Sequence, residues 1–288
     1  MSAAPSDVHG RISRLFIYPV KSCGGVELQE AVLTETGLEF DRAWMVVDEQ
    51  GEFVSQRELP RMALIVPKMR FHDMVLRAPG MLALHIALDA VEQPCKVRVW
   101  DDEVSAYDMG DTAAQWFSDF LGQKLRLARF DPDVRRLSSL QWTRGVEALN
   151  QFSDGYPLLV ASEASLDGLN ARLANAGHAP VGIERFRPNV VLAGVEAHDE
   201  DRLASLRIDT GDAPVELLPV KPCARCPIPN VDPATGQSSP AVGDALQAYR
   251  QDARLNGAVT FGMNVIVTAG LEQVLRVGQP VAGNYAFD

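Results

Sequence analysis

The sequence predicts a mainly β protein with some α-helix (α+β), folded as two lobes, and three observations carry that prediction. Short runs of alternating apolar and polar residues follow one another closely from Arg11 to Val99. Helical spacing first appears only at Asp111–Leu121. Between Phe130 and Asn150 the chain is arginine-rich, carries Asp131-Pro132 and shows no clean period, so it reads as the connection between two patterned lobes. Short strands at this density favour a barrel or sandwich over an α/β layer.

In order, Arg11–Tyr18 reads as a first strand that runs into Pro19-Val20-Lys21-Ser22-Cys23-Gly24-Gly25, where paired glycines let backbone turn or approach a ligand. Val26 and Leu28 alternate with Glu27 and Gln29 as on a half-buried strand. Trp44–Val47 and Phe53–Gln56 flank Asp48-Glu49-Gln50-Gly51, a hairpin pattern. Leu82, Leu84, Ile86 and Leu88 alternate, as do Cys95, Val97 and Val99. In Asp111–Leu121 one face collects Ala113, Trp116, Phe117, Phe120 and Leu121, with Asp111 as N-cap and Gly122 as stop. The second lobe opens with the apolar run Tyr156–Ala161. Ser162 then caps a helix that puts Leu166, Leu169 and Leu173 on one face. Val190–Leu192 and Phe261–Val267 read as strands, and Ser239-Pro240 has the N-cap and N1 pattern of a helix reaching about Arg250.

Composition narrows the function. The 288 residues allow one large or two ordinary domains, and 47% apolar with 23% charged residues is ordinary for a soluble globular chain. A net charge of −11 argues against nucleic acid as a partner, although it permits a local basic pocket for an anionic cofactor. No signal peptide is visible, and no run approaches the roughly 20 apolar residues that span a bilayer, so no membrane association is expected. Four cysteines in a chain this long make no disulfide framework, which favours a cytoplasmic location.

The stretch Val220–Gly236 carries two thiols, Cys223 and Cys226, around Arg225, with Pro222, Pro227 and Pro229 at the flanks. Proline disfavours helix before it, so a stiff irregular loop is expected. Structural zinc needs more ligands than this pair, and neither Cys23, Cys95 nor the histidines (His9, His72, His85, His178, His198) show ligand spacing. A thioredoxin-like pair would want a helix after the motif, where proline stands instead. One thiolate serving as a soft metal ligand fits better, with Arg225 lowering a thiol pKa, and two ordinary buried cysteines are the plain alternative. Elsewhere Lys21-Ser22 beside Gly24-Gly25, Asp41-Arg42 and Arg187-Pro188-Asn189 each offer cationic or amide donors suited to phosphate oxygens, though singly each such piece is more often a surface charge or a structural ion pair.

Taken together and in order, these pieces resemble the MOSC proteins. Tyr18-Pro19-Val20-Lys21-Ser22-Cys23, Asp41-Arg42 with Trp44, Gln56-Arg57 and Pro60-Arg61 are similar to their N-terminal barrel domain. Asp154-Gly155-Tyr156-Pro157, Ser162–Leu166, Phe186-Arg187-Pro188-Asn189, Cys223-Ala224-Arg225-Cys226, Val231-Asp232-Pro233 with Thr235-Gly236, and Val277-Gly278 with Pro280-Val281 are similar to the MOSC domain itself. The resemblance implies an N-terminal MOSC β-barrel domain at 11–130 and a MOSC β-barrel domain with peripheral helices at 150–285. It implies a molybdenum cofactor (Mo-molybdopterin) whose metal is bound by Cys226, also the catalytic position, with Lys21, Ser22, Arg42, Arg187 and Asn189 holding the pterin or phosphate. Cys223 falls to a structural role, Ser162 and Ser165 to the helix start, and Asp232 to a turn.

The expected activity, by resemblance to the amidoxime-reducing components and the bacterial reductases of N-hydroxylated compounds, is removal of oxygen from N-hydroxylated small molecules. The chain carries no iron–sulfur cysteine motif and no ferredoxin domain before Asp288, and no pyridoxal phosphate is expected in it. Electrons are therefore expected from a separate protein of ferredoxin, flavoprotein or cytochrome b5 type. The alternative is a molybdenum-cofactor carrier or a persulfide sulfur-transfer protein, with Cys226 as carrier thiol. Two departures from the mitochondrial relatives stand out: Tyr156 replaces a small polar residue, and Asp201-Arg202-Leu203 replaces a tryptophan-bearing segment.

Overall fold

Alternation of apolar residues along seven strands builds a closed barrel in the computed structural model, which describes residues 6–286. Strand Leu158–Ser162 runs parallel to Val190–Ala193, which pairs antiparallel with Val8–Ile17. The circuit continues through Pro280–Tyr285, Leu203–Ile208, Val215–Ala224 and Ala258–Ala269, and closes where Ala258–Ala269 pairs back onto Leu158–Ser162. Closure removes the exposed edges that an open sheet would present. Inside lie Ile12, Leu15, Val160, Leu192, Leu206, Leu217 and Val265, all buried. The first strand of the chain is thus a stave of the barrel made mostly by the carboxyl-terminal half.

Three smaller sheets stand beside it. Trp44–Val47, Arg126–Phe130, Asp102–Asp108 and Gln93–Val99 form a four-stranded antiparallel sheet. Helix Gly110–Leu121 packs Trp116, Phe117 and Phe120 into the adjoining core with Trp44 and Val46. Val66–Met69, Asp73–Arg77 and Leu84–Ala87 form a meander, and Val274–Arg276 joins Glu30–Thr34 and Gly37–Leu38. No helix among the described residues is long and apolar enough to cross a membrane.

Several local expectations shift. The helix begins at Gly110 with Met109 as N-cap; Asp111 stands in its first turn and pairs with Arg126, while Gly122 ends it at φ 80° as expected. The hairpin after Trp44–Val47 is shorter than its pattern: Phe53 bridges Val47, but Gln56 turns away and donates its amide to the Ser22 carbonyl at 2.6 Å. Leu82 is 89% exposed and outside the strand that begins at Leu84. Pro240 is the N-cap of a helix covering Ala241–Gln247, one position later and shorter than the expected span. Ser162 caps helix Glu163–Asn175 as expected, its hydroxyl accepting from Ser165 N at 3.1 Å.

The cysteine stretch differs most. Val220–Ala224 is the end of barrel strand Val215–Ala224, so Cys223 lies on a strand rather than a loop. The register against Ala258–Ala269 shifts between Pro219 and Lys221 and again between Pro222 and Ala224. Bulges of this kind let prolines occupy a strand, since no ladder hydrogen bond is asked of their missing N–H. Irregular backbone begins only at Arg225, with Cys226 exposed just beyond it.

Candidate functional site

The first barrel strand leads directly into the site. Tyr18 follows its last residue, and the buried Asp41 carboxylate accepts from Tyr18 N at 2.8 Å and from Arg42 Nη1 at 2.5 Å. Arg42 is further fixed by donating to Asn189 Oδ1 at 3.2 Å and to the Arg187 carbonyl at 3.0 Å. Asn189 is 1% exposed; its Oδ1 also accepts from Leu159 N at 3.1 Å and its Nδ2 donates to the Phe16 carbonyl at 3.2 Å. Its amide therefore ties three segments and orients Arg42. Arg187 donates to the Cys23 carbonyl at 2.6 Å, which brings the Arg-Pro-Asn turn onto the Lys21–Gly25 segment. The rings and cations interleave: the guanidiniums of Arg42 and Arg187 stand 4.5 and 4.2 Å from the Tyr18 ring centroid.

Lys21 is buried and donates to the Phe152 carbonyl at 2.8 Å and to Asp154 Oδ1 at 2.5 Å. Burial pulls its pKa down, and the Asp154 carboxylate opposes that. Asp154 also accepts from Trp100 Nε1 at 3.1 Å. The loop that presents Asp154 is pinned by buried Arg136, whose Nη1 donates to Asn150 Oδ1, Gln151 O and Ser153 O.

Ser22, Arg42 and Arg187 share a backbone signature. All three adopt left-handed φ, at 66°, 52° and 57°, and none is glycine. Such residues cost roughly 1–3 kcal/mol each and persist where the surroundings hold them, which is common at ligand clamps. Arg187 Nη2 is also a buried donor without a hydrogen-bond partner, as are Tyr18 OH and Arg225 Nε. Burial and the neighbouring Arg42 lower the Arg187 pKa to about 10, so the group remains a cation at neutral pH. The clustered cations Lys21, Arg42 and Arg187, with a donor unspent on Arg187, fit an anionic cofactor in a chain of net charge −11.

Tyr18, Gly24, Gly25, Gln56, Arg185 and Arg187 line part of a cleft of about 290 Å³. Neither Cys223 nor Cys226 lines it. Cys223 Sγ accepts from Arg225 Nη1 at 3.2 Å, so the arginine expected to activate a thiol faces Cys223. Burial nevertheless raises the Cys223 pKa, against the pull of Arg225. Arg225 Nη2 donates to the Phe186 carbonyl at 2.5 Å, bracing the turn before Arg187.

Other candidates resolve into structure. Asp232 accepts from Ala234 N and, through its carbonyl, from Gly236 N, while its carboxylate pairs with Arg185 at 3.6 Å. That is a turn former's role. Ser162 and Ser165 lie 2.7 Å apart at the helix start, and Ser165 Oγ donates to buried Glu200 at 2.6 Å. Tyr156 packs beside Ala148, Val220 and Ile266. Sequence reasoning passed over Tyr18, Asp154 and Arg136 as site residues. Tyr18 reads as a strand end and Asp154 as half of an Asp-Gly turn, so neither carries a signal of its own.

Two family models match the chain: the MOSC N-terminal beta barrel domain over residues 9–124 and the MOSC domain over residues 148–282. Mouse mitochondrial amidoxime-reducing component 1 is 38% identical over 84% of this chain and 72% of its own. The chain belongs to the MOSC family. Rat mitochondrial amidoxime reducing component 2 is 34% identical over 94% of this MOSC protein and 82% of its own length. Bovine molybdenum cofactor sulfurase is 30% identical over 83% of this chain, which corresponds to 29% of the sulfurase. In this MOSC protein the segment matched by the first model supplies Tyr18, Lys21, Ser22 and Arg42, and the segment matched by the second supplies Arg187, Asn189 and Cys226. The hydrogen bonds from Arg42 to Asn189 and from Arg187 to Cys23 join the two.

Proposed function

We propose that this protein is a molybdenum-cofactor-dependent reductase that removes oxygen from N-hydroxylated small molecules, taking electrons from a separate donor protein. The observation that carries the reading is the convergence of Lys21, Arg42 and Arg187 from two segments onto one clamp, with Arg187 Nη2 unpartnered. In this reading Arg42 and Arg187 hold the anionic tail and Ser22 offers its hydroxyl and neighbouring backbone. Asn189 acts through Arg42 as a positioning residue. Lys21, buried beside Asp154, adds positive charge to the clamp. Cys226, exposed at the end of a barrel strand, is the thiolate that ligates the metal. When bound, the cofactor supplies a two-electron metal centre for N–O cleavage; the protein orients it, shapes the approach and supplies donors. The relatives named as amidoxime-reducing components support the substrate class.

The test uses protein produced in a host that makes the cofactor. Stoichiometric molybdenum and reduction of benzamidoxime with an artificial electron donor are the expected results. Zinc in place of molybdenum would overturn the reading, and a Cys226→Ser variant that keeps full metal and activity would overturn the ligand assignment. The exposure of Cys226 also favours a second reading, a sulfur carrier that holds a persulfide there. Fully loaded protein that reduces no N-hydroxylated compound but releases sulfide from Cys226 on treatment with a thiol would select it.

A further inference from the structure

Two buried polar atoms with no hydrogen-bond partner, Tyr18 OH and Arg187 Nη2, belong to residues that line the same cleft. Tyr18 is 1% exposed, and its backbone is held at both ends: Tyr18 N donates to Asp41 Oδ1, and its carbonyl accepts from Arg42 N at 3.0 Å. Its ring lies against Gly25, where an added Cβ would come within 2.6 Å of Tyr18 Cε1, so glycine there leaves the ring its place. The guanidiniums of Arg42 and Arg187 are both within 4.5 Å of the ring centroid. A phenol so placed has no freedom to find a partner elsewhere, and buried polar groups in folded chains are paired in the great majority of cases.

We infer that Tyr18 is a ligand-holding residue: its hydroxyl, together with Arg187 Nη2, donates to a phosphate-type oxygen of the bound group, while its ring keeps the two guanidiniums in register. This rests on the reading of the site as a clamp for an anionic cofactor. Burial raises the phenol pKa well above its ordinary value against the opposing pull of Arg187 and Arg42, which keeps the hydroxyl a donor at neutral pH. The oxygen belongs either to the cofactor's phosphate or to free phosphate, and the experiment separates them.

Tyr18→Phe keeps the ring between the arginines and removes only the hydroxyl. Three measurements on the full chain decide the matter: melting without ligand, the melting shift on titration with inorganic phosphate, and the molybdenum and pterin retained after dialysis of cofactor-loaded protein. Ligand-free Tyr18→Phe is expected to melt at or above the wild-type temperature, because an unpaired buried hydroxyl has been removed. Its phosphate affinity is expected to fall roughly tenfold, with cofactor retention falling in parallel. A fall in phosphate affinity in a protein whose wild type carries no pterin would keep the Tyr18 assignment and sink the cofactor reading. A fall in retention alone assigns the hydroxyl to the cofactor. Wild-type phosphate affinity and retention in Tyr18→Phe would overturn the assignment, as would wild type that binds neither probe. A marked loss of ligand-free stability would also overturn it, because the hydroxyl would then have a partner within the fold.

Discussion

Glu200 is 1% exposed, accepts from Ser165 Oγ through Oε1 and has no partner at Oε2. Burial raises its pKa, with the Ser165 hydrogen bond opposing. The folded chain therefore holds this proton to higher pH than the unfolded chain does. Its contribution to stability is complete below the ordinary carboxyl value of 4.5 and is lost as pH rises through the folded pKa. Urea midpoints measured from pH 4.5 to neutrality should show that loss in the wild type, and Glu200→Gln should flatten it. Asn189 offers a second test at this scale. Asn189→Ala removes two accepted bonds and one donated bond at a fully buried position, and should cost about 3 kcal/mol by chemical denaturation. Its place in an Arg-Pro-Asn run marks it in the sequence as polar and unusual. Its role as a three-way tie is not legible there, since Leu159 is 30 and Phe16 173 positions away.

Element by element, the sequence is most legible where the physics is local. Helix Glu163–Asn175 is announced by Ser162 and by leucines at helical spacing, and both cap and buried face are where they are expected. Ser162→Ala should cost about 1 kcal/mol in thermal or urea unfolding, because the cap bond to Ser165 N is lost. The cysteine strand was not legible, because Pro222 and Pro227 speak for a loop and only pairing with Ala258–Ala269 reveals the bulges that admit Pro219 and Pro222. The partner strand carries its own irregularity at Gly262. Its φ is +77°, and an added Cβ would come within 2.8 Å of the Val160 carbonyl across the ladder that closes the barrel. Gly262→Ala should therefore destabilise the fold by about 2 kcal/mol, read as a lower urea midpoint with an unchanged slope.

For the whole molecule, density of short strands and the unpatterned Phe130–Asn150 stretch made a mainly β fold readable. Strand order was not, since pairing Val8–Ile17 with Val190–Ala193 and Pro280–Tyr285 depends on contacts that no local pattern records. A fragment starting at residue 148 lacks that stave and would leave two barrel strands unpaired along one side. Such a fragment should give collapsed, poorly dispersed amide spectra, and adding a peptide spanning residues 6–28 should restore dispersion.

The same stave has a consequence for timing during synthesis. Val8–Ile17 leaves the ribosome long before one of its neighbours, Pro280–Tyr285, is synthesised. Until then the strand waits with an unpaired edge, exposed to chaperones and proteases, and its pairings are of the long-range kind that slow folding. Tyr18, Lys21 and Ser22 follow that strand directly, so the clamp takes its final shape only after Pro280–Tyr285 has been made. Under the proposed function, a ribosome-stalled chain short of Pro280 should therefore capture no cofactor.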